Sequence, residues 1–204
     1  MSKYITIKDI ANELGISKST VSRALSGDSS NVKAETMKLI TETAQRMGYQ
    51  RNELAVSLRK QSSHNIGIII PEIVTTFYMD FISHAQTILR KHGYNVLIAT
   101  SNESTEQERI NIEMMEKCMV DGILISVCDK EKNMDVYRRV MGRGIPMVFF
   151  DRTLEWDDAS QVRLDDYIMS FFMVEQLIRS GSKRIVHISG PSHIRNGYER
   201  LRGY

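Results

Sequence analysis

Thr6-Ile7-Lys8-Asp9-Ile10-Ala11-Asn12-Glu13-Leu14-Gly15-Ile16-Ser17-Lys18-Ser19-Thr20-Val21-Ser22-Arg23-Ala24-Leu25-Ser26-Gly27 reads as two short helices around a tight turn. Ile7, Ile10, Ala11 and Leu14 recur at helical spacing and make one apolar stripe, while Lys8, Asn12 and Glu13 face away. Thr6 suits the start of this helix, and Asp9 in its first turn suits the positive end of the dipole. Gly15 ends it where a left-handed residue is needed. Ser17 offers a second cap, after which Val21, Ala24 and Leu25 turn inward. The opposite face, Lys18, Ser19, Ser22 and Arg23, is rich in donors and positive charge. A small helix with such a face, backed by another, has the geometry of a helix-turn-helix whose second helix enters the major groove. On spacing alone, a helical hairpin of some other small bundle also fits.

Charge supports the first reading. Residues 1–60 carry ten Lys/Arg against six Asp/Glu, a net of +4, and since the whole chain is +2 the remainder is −2. A basic head on a mildly acidic body points to a polyanion for the head only. No charged n-region precedes an apolar h-region, and no apolar run approaches the ~18 residues of a membrane span, so the expected location is the cytoplasm, with no membrane partner. Cys118 and Cys128 lack metal-ligand spacing and are expected as buried free thiols. The five His are scattered, which argues against a metal site, and the twelve Met are expected to fill the core.

After a polar loop, Met37, Ile40, Ala44 and Met47 line a third helix closed by Gly48, completing a small helical head over 1–49. Residues 50–63 read as a hinge. Asn52 can cap a short helix with Leu54, Ala55 and Leu58 on one side and Arg51, Arg59 and Lys60 around it. Alone it is too short for stability in water, but it could fold on docking to DNA, with Leu58 wedged into the minor groove. A plain linker with a frayed helical turn is the alternative.

From Asn65 the pattern alternates. Strands are predicted over 65–70, 94–100, 122–126 and 147–150, and helices over about 77–92, 105–117 and 134–143. This is the signature of βαβ units and a parallel sheet covered on both faces, a first lobe over 64–152 of a core over 64–204. An extended piece near 161–164, a helix over 166–180, a strand over 184–189 and a helix start after Gly190-Pro191 begin a second lobe over 160–204. A second α/β lobe needs several more strands, so this one is expected to be cut short.

Three segments together resemble the N-terminal part of the LacI/GalR (lactose-repressor) family of transcriptional regulators. They are the head motif of Ile7-Lys8-Asp9-Ile10-Ala11, Gly15-Ile16-Ser17 and Thr20 to Leu25; the hinge Tyr49-Gln50-Arg51-Asn52 with Ala55, Leu58 and Arg59; and a series in the core. The core series is Ile66 to Pro71, Val120-Asp121-Gly122-Ile123, Phe150-Asp151-Arg152, Ile188-Ser189-Gly190-Pro191 and Arg200 to Tyr204. The resemblance implies an all-α helix-turn-helix headpiece followed by an α/β core of the type I periplasmic-binding-protein kind, truncated within that core. It also implies a homodimer that reads a pseudo-palindromic double-stranded operator and binds a small effector, a sugar or sugar derivative, without a cofactor.

By position, Lys18, Ser19 and Arg23 would read bases, Thr6, Thr20 and Ser22 would set the head on phosphates, and Asn52, Ala55, Leu58 and Arg59 would serve the hinge's DNA contact. Thr76, Phe77, Asp151, Arg152, Asp165 and Arg200 would hold the effector. The chain departs from the family pattern at Thr75-Thr76-Phe77, where an Asn-Pro-Phe is usual, at Asp165-Asp166 in place of Asp-Asn, and at Lys33 in place of Ser.

Two other classes fit the residues less well. The turn Pro71-Glu72-Ile73-Val74-Thr75-Thr76 has no glycine, so neither a dinucleotide fingerprint nor a phosphate loop is present, and no Ser/His/Asp or paired-carboxylate set can be assembled for an enzyme. A sugar-binding protein acting outside the cytoplasm would not carry the head.

Overall fold

The computed structural model describes residues 4–27, 32–50, 62–156 and 158–204. It divides into two compact units, Met1–Val56 and Ser57–Tyr204. In the first, the described helices are α1 (Ile7–Leu14), α2 (Lys18–Leu25) and α3 (Ala34–Met47). Ile10, Val21 and Ile40 are fully buried, one from each helix, with Ala11, Ala24 and Ala44 beside them. Alanine at these positions lets three short helices approach closely around a core with little to bury. The Thr6 amide and hydroxyl both donate to the Asp9 carboxylate, at 2.8 and 2.7 Å, closing the start of α1. Gly15 takes φ 63°, and its turn brings the chain round into α2. Arg46 on α3 pairs with Glu13 on α1 at 3.1 Å, an exposed contact of small energetic weight.

The second unit is built on a five-stranded parallel sheet in the order β2-β1-β3-β4-β5. The strands are β1 (Asn65–Ile70), β2 (Asn95–Thr100), β3 (Gly122–Ile125), β4 (Met147–Phe150) and β5 (Ser160–Val162). Joining helices are α4 (Thr76–Lys91), α5 (Thr105–Lys117) and α6 (Met134–Gly142). Strand β1 is apolar on both sides. Ile68 and Ile70 pack with Tyr78 and Ile82 of α4, whereas Ile69 packs with Ile112 and Met115 of α5 and Val136 and Val140 of α6. The period of two thus separates two cores on either face of one sheet. The Phe81 and Phe150 rings stack at 3.8 Å across one face, and Tyr137 meets Phe149 edge-on at 5.2 Å across the other.

Two helices follow, α7 (Asp166–Arg179) and α8 (Arg195–Gly203), packed on each other. Their contact is close at Gly203, where a Cβ would lie 2.4 Å from the Tyr167 carbonyl oxygen, so only glycine fits. The Ser170 hydroxyl donates to the Arg200 carbonyl at 2.7 Å in the same seam.

Several expectations change. The extended piece near 161–164 is β5, hydrogen-bonded to β4, so it closes the first sheet and does not open a second one. No strand forms over 184–189, where Val186 and Ile188 are 85% and 93% exposed. An apolar alternating run becomes a strand only beside a ladder partner, and no described strand pairs with these residues. Cys128 is buried as expected, but Cys118 is exposed because it caps the outer end of α5. Met115 and Met147 fill core, whereas Met79, Met114, Met119, Met169 and Met173 lie at the surface.

Candidate DNA-reading helix and ligand cleft

Helix α2 is held from below and capped from the front. Val21 and Ala24 fix its inner face, and Ser17 Oγ accepts the Thr20 amide at 3.1 Å. The same Ser17 hydroxyl lies 2.7 Å from the Ser19 hydroxyl and 2.8 Å from that of Thr20, so three hydroxyls form one hydrogen-bonded group at the start of the helix. Lys18, Ser19 and Arg23 are exposed, and Thr20 and Ser22 are half-buried. Among the described residues neither Lys18 nor Arg23 has a carboxylate partner. Thr6 is exposed, but its hydroxyl is already given to Asp9. Asn52, Ala55, Leu58 and Arg59 lie outside the described residues.

A cleft of about 290 Å³ opens at the carboxyl ends of β1 and β4, where parallel sheets bind ligands. Phe77, Tyr78, Asp151, Arg152, Asn196 and Arg200 line it, with Glu72 and Thr75 at the turn after β1. Asp151 follows β4 directly and takes φ 57°, a left-handed conformation uncommon for residues other than glycine and tolerated by Asp and Asn. Its Oδ2 accepts the Tyr78 hydroxyl at 2.9 Å and its Oδ1 accepts the Asn196 side-chain amide at 3.0 Å. The Tyr78 oxygen also lies 3.0 Å from the Ser126 hydroxyl. Burial above all, with Asp151 adding to it, pushes the Tyr78 phenol above its ordinary range and keeps it a protonated donor.

Both cleft arginines are paired. Arg152 donates to Glu103 at 2.7 Å, and Arg200 donates through Nε to Asp166 at 2.7 Å. Arg200 also borders a larger apolar cavity of about 520 Å³, between α7, α8 and residues 185–187.

Of the six candidate effector residues, Phe77, Asp151, Arg152 and Arg200 meet in the cleft. Thr76 and Asp165 do not line it. Thr75 stands at the wall beside Phe77, and Asp165 caps α7 by accepting the Ile168 amide at 3.0 Å. Sequence reasoning missed Tyr78, Asn196 and Glu103. Tyr78 adjoins Phe77 and was open to notice, but Asn196 and Glu103 lie far along the chain from Asp151 and Arg152 and become neighbours only through the fold. Among the described residues no group of His, Cys, Asp and Glu could hold a metal ion. No described helix is long and apolar enough to cross a membrane.

Residues 6–52 match the bacterial regulatory proteins of the lacI family, and residues 63–204 match the periplasmic binding proteins and sugar binding domain of the LacI family. The chain belongs to the LacI family of bacterial regulators. The ribose operon repressor of Bacillus subtilis is 31% identical over 198 residues, covering 97% of this chain and 58% of that protein. The chain therefore spans less than two thirds of that relative's length. In fold it is similar to the lac repressor dimer bound to operator and the anti-inducer ONPF, with TM-score 0.80 at 20% identity over 98% of this chain and 60% of that one. The Cra regulator of Pseudomonas putida, solved with fructose 1-phosphate, gives TM-score 0.65 at 24% identity over 69% of this chain and 52% of that one.

Proposed function

We propose that the chain is a sequence-specific DNA-binding transcriptional regulator whose affinity for its operator is controlled by a sugar or sugar derivative bound in the cleft. The observation that carries this reading is the outer face of α2. Lys18, Ser19 and Arg23 stand exposed on a capped helix anchored by Val21 and Ala24, and neither cation has a carboxylate partner among the described residues. Such a face supplies guanidinium and ammonium donors for base edges in the major groove. On this reading Thr6, Thr20 and Ser22 position the head on phosphates, and the hinge over 50–63 links the reader to the core. The protein works in the cytoplasm as a homodimer on a two-fold operator, since a single small head binds one half-site.

The cleft supports the effector half of the reading. It holds two carboxylates, an amide, a phenol and two guanidiniums beside the Phe77 ring, a set suited to hydroxyl-rich rings. The matched sugar-binding domain and the ribose operon repressor's name point the same way. This is a binding role, with no residue assigned to catalysis.

A gel-shift assay with operators selected from a random duplex pool tests both halves. Tight retention of selected over random DNA, altered by one of a panel of sugars, is expected. Equal affinity for selected and random duplexes would overturn sequence-specific reading, and indifference to every sugar would overturn effector control.

A further inference from the structure

Glu103 lies outside the cleft wall but reaches into its chemistry. It sits in the loop between β2 and α5, where Asn102 and Glu103 successively take φ 49° and 58°. Two left-handed residues in a row turn the loop so that the Glu103 carboxylate meets Arg152 at 2.7 Å. The Arg152 side chain is only 17% exposed, so this pair is screened less than a surface one. The second cleft guanidinium, Arg200, is held in the same way by Asp166, itself buried. Glu72 and Asp151 line the cavity with the two guanidiniums, and each guanidinium is already paired from outside the wall, Arg152 with Glu103 and Arg200 with Asp166, so the group as a whole carries four carboxylates to two guanidiniums.

We propose that Glu103 is a specificity-determining residue: by occupying Arg152 it commits the cleft to uncharged polyhydroxylated ligands and turns away phosphorylated sugars. This rests on the reading of the cleft as an effector site. A phosphate ester would have to displace Glu103 from Arg152 and would then face a surplus of negative charge, and like charges brought together in a partly dry site are strongly disfavoured. A neutral sugar needs no such displacement. Its hydroxyls can donate to Asp151 and accept from guanidinium protons that the carboxylates leave free.

Calorimetric titration of the full chain and of Glu103→Gln, at low ionic strength, tests it. The probes are neutral pentoses, hexoses and disaccharides together with ribose 5-phosphate and fructose 1-phosphate. The native chain is expected to bind a neutral sugar at least about tenfold more tightly than either ester, and Glu103→Gln to shift that ratio by about tenfold toward the esters. Tighter binding of an ester by the native chain, or an unchanged ratio in Glu103→Gln, would overturn the proposal while leaving the effector site standing. Absence of binding to every probe by both proteins would overturn the effector reading itself, and the proposal with it.

Discussion

The Tyr137 hydroxyl donates to Glu108 Oε1 at 2.5 Å, deep between α5 and α6, with both residues fully buried. Glu108 also accepts the Asn133 side-chain amide at 2.8 Å and the Cys128 backbone amide at 2.7 Å. One carboxyl therefore holds the loop between β3 and α6 from below. Burial is the largest influence on Glu108 and raises its pKa from the ordinary 4.5, although the three donors pull the other way.

A group that binds its proton more tightly folded than unfolded costs stability as pH rises from its unfolded value through its folded one. Thermal melts of the native chain should show the core unit losing stability as pH climbs upward from 4.5, and Glu108→Gln should flatten that slope. Glu108→Ala strands three buried donors and should cost at least about 1–3 kcal/mol. An identical pH slope in Glu108→Gln would assign the effect elsewhere.

Asp121 carries the opposite sign. Burial alone would raise its pKa, but the Ser62 and Ser63 hydroxyls and the Ser63 and His64 amides donate to it at 2.5–3.1 Å and together hold it below the ordinary 3.8. Its contribution is present above that value and fades as pH falls below it. These contacts fasten the residues entering β1 to the start of β3. Asp121→Ala should weaken operator binding by about tenfold while sugar affinity holds, because the cleft lies at the other end of both strands. Gel shift and calorimetry on the same preparation check this, and parallel losses in both would rule out a local anchor.

For α2, Arg23→Ala should cost about 1–3 kcal/mol on the selected operator and relax preference at one base position. Competition against random duplex is the measurement. The same loss on both DNAs would make Arg23 a phosphate contact.

In the cleft, Asn196→Ala removes one of the two side-chain donors that hold the Asp151 carboxylate. Sugar affinity should fall by about 1.5–3 kcal/mol, the range for hydrogen bonds to charged groups, with little change in melting because Asn196 is half-buried. Unchanged affinity by calorimetry would separate Asp151 orientation from binding.

The head was legible in the sequence because its determinants are local. Thr6 and Asp9, Gly15, and Ser17 and Thr20 each act within a few residues of one another. The sheet was legible as short apolar, β-branched runs alternating with helices, since strands covered on both faces carry their burial in the run itself. Residues 184–189 have the same composition and formed no strand, because pairing depends on a neighbour and not on the run itself. The cleft was half legible. Asp151 and Arg152 follow a predicted strand, where ligand-binding residues are sought, but their partners Asn196 and Glu103 are distant in sequence. Asp165, singled out by its position although Asp165-Asp166 departs from the usual Asp-Asn, caps α7 and does not line the cleft.

The Gly203–Tyr167 approach brings the backbones of α7 and α8 together so closely that no side chain fits between them. Asn196 and Arg200, which line the cleft, are carried on this same α8, so their placement depends on how that helix seats against α7. A larger residue at position 203 would force the two helices apart, and with them the two cleft side chains that α8 carries.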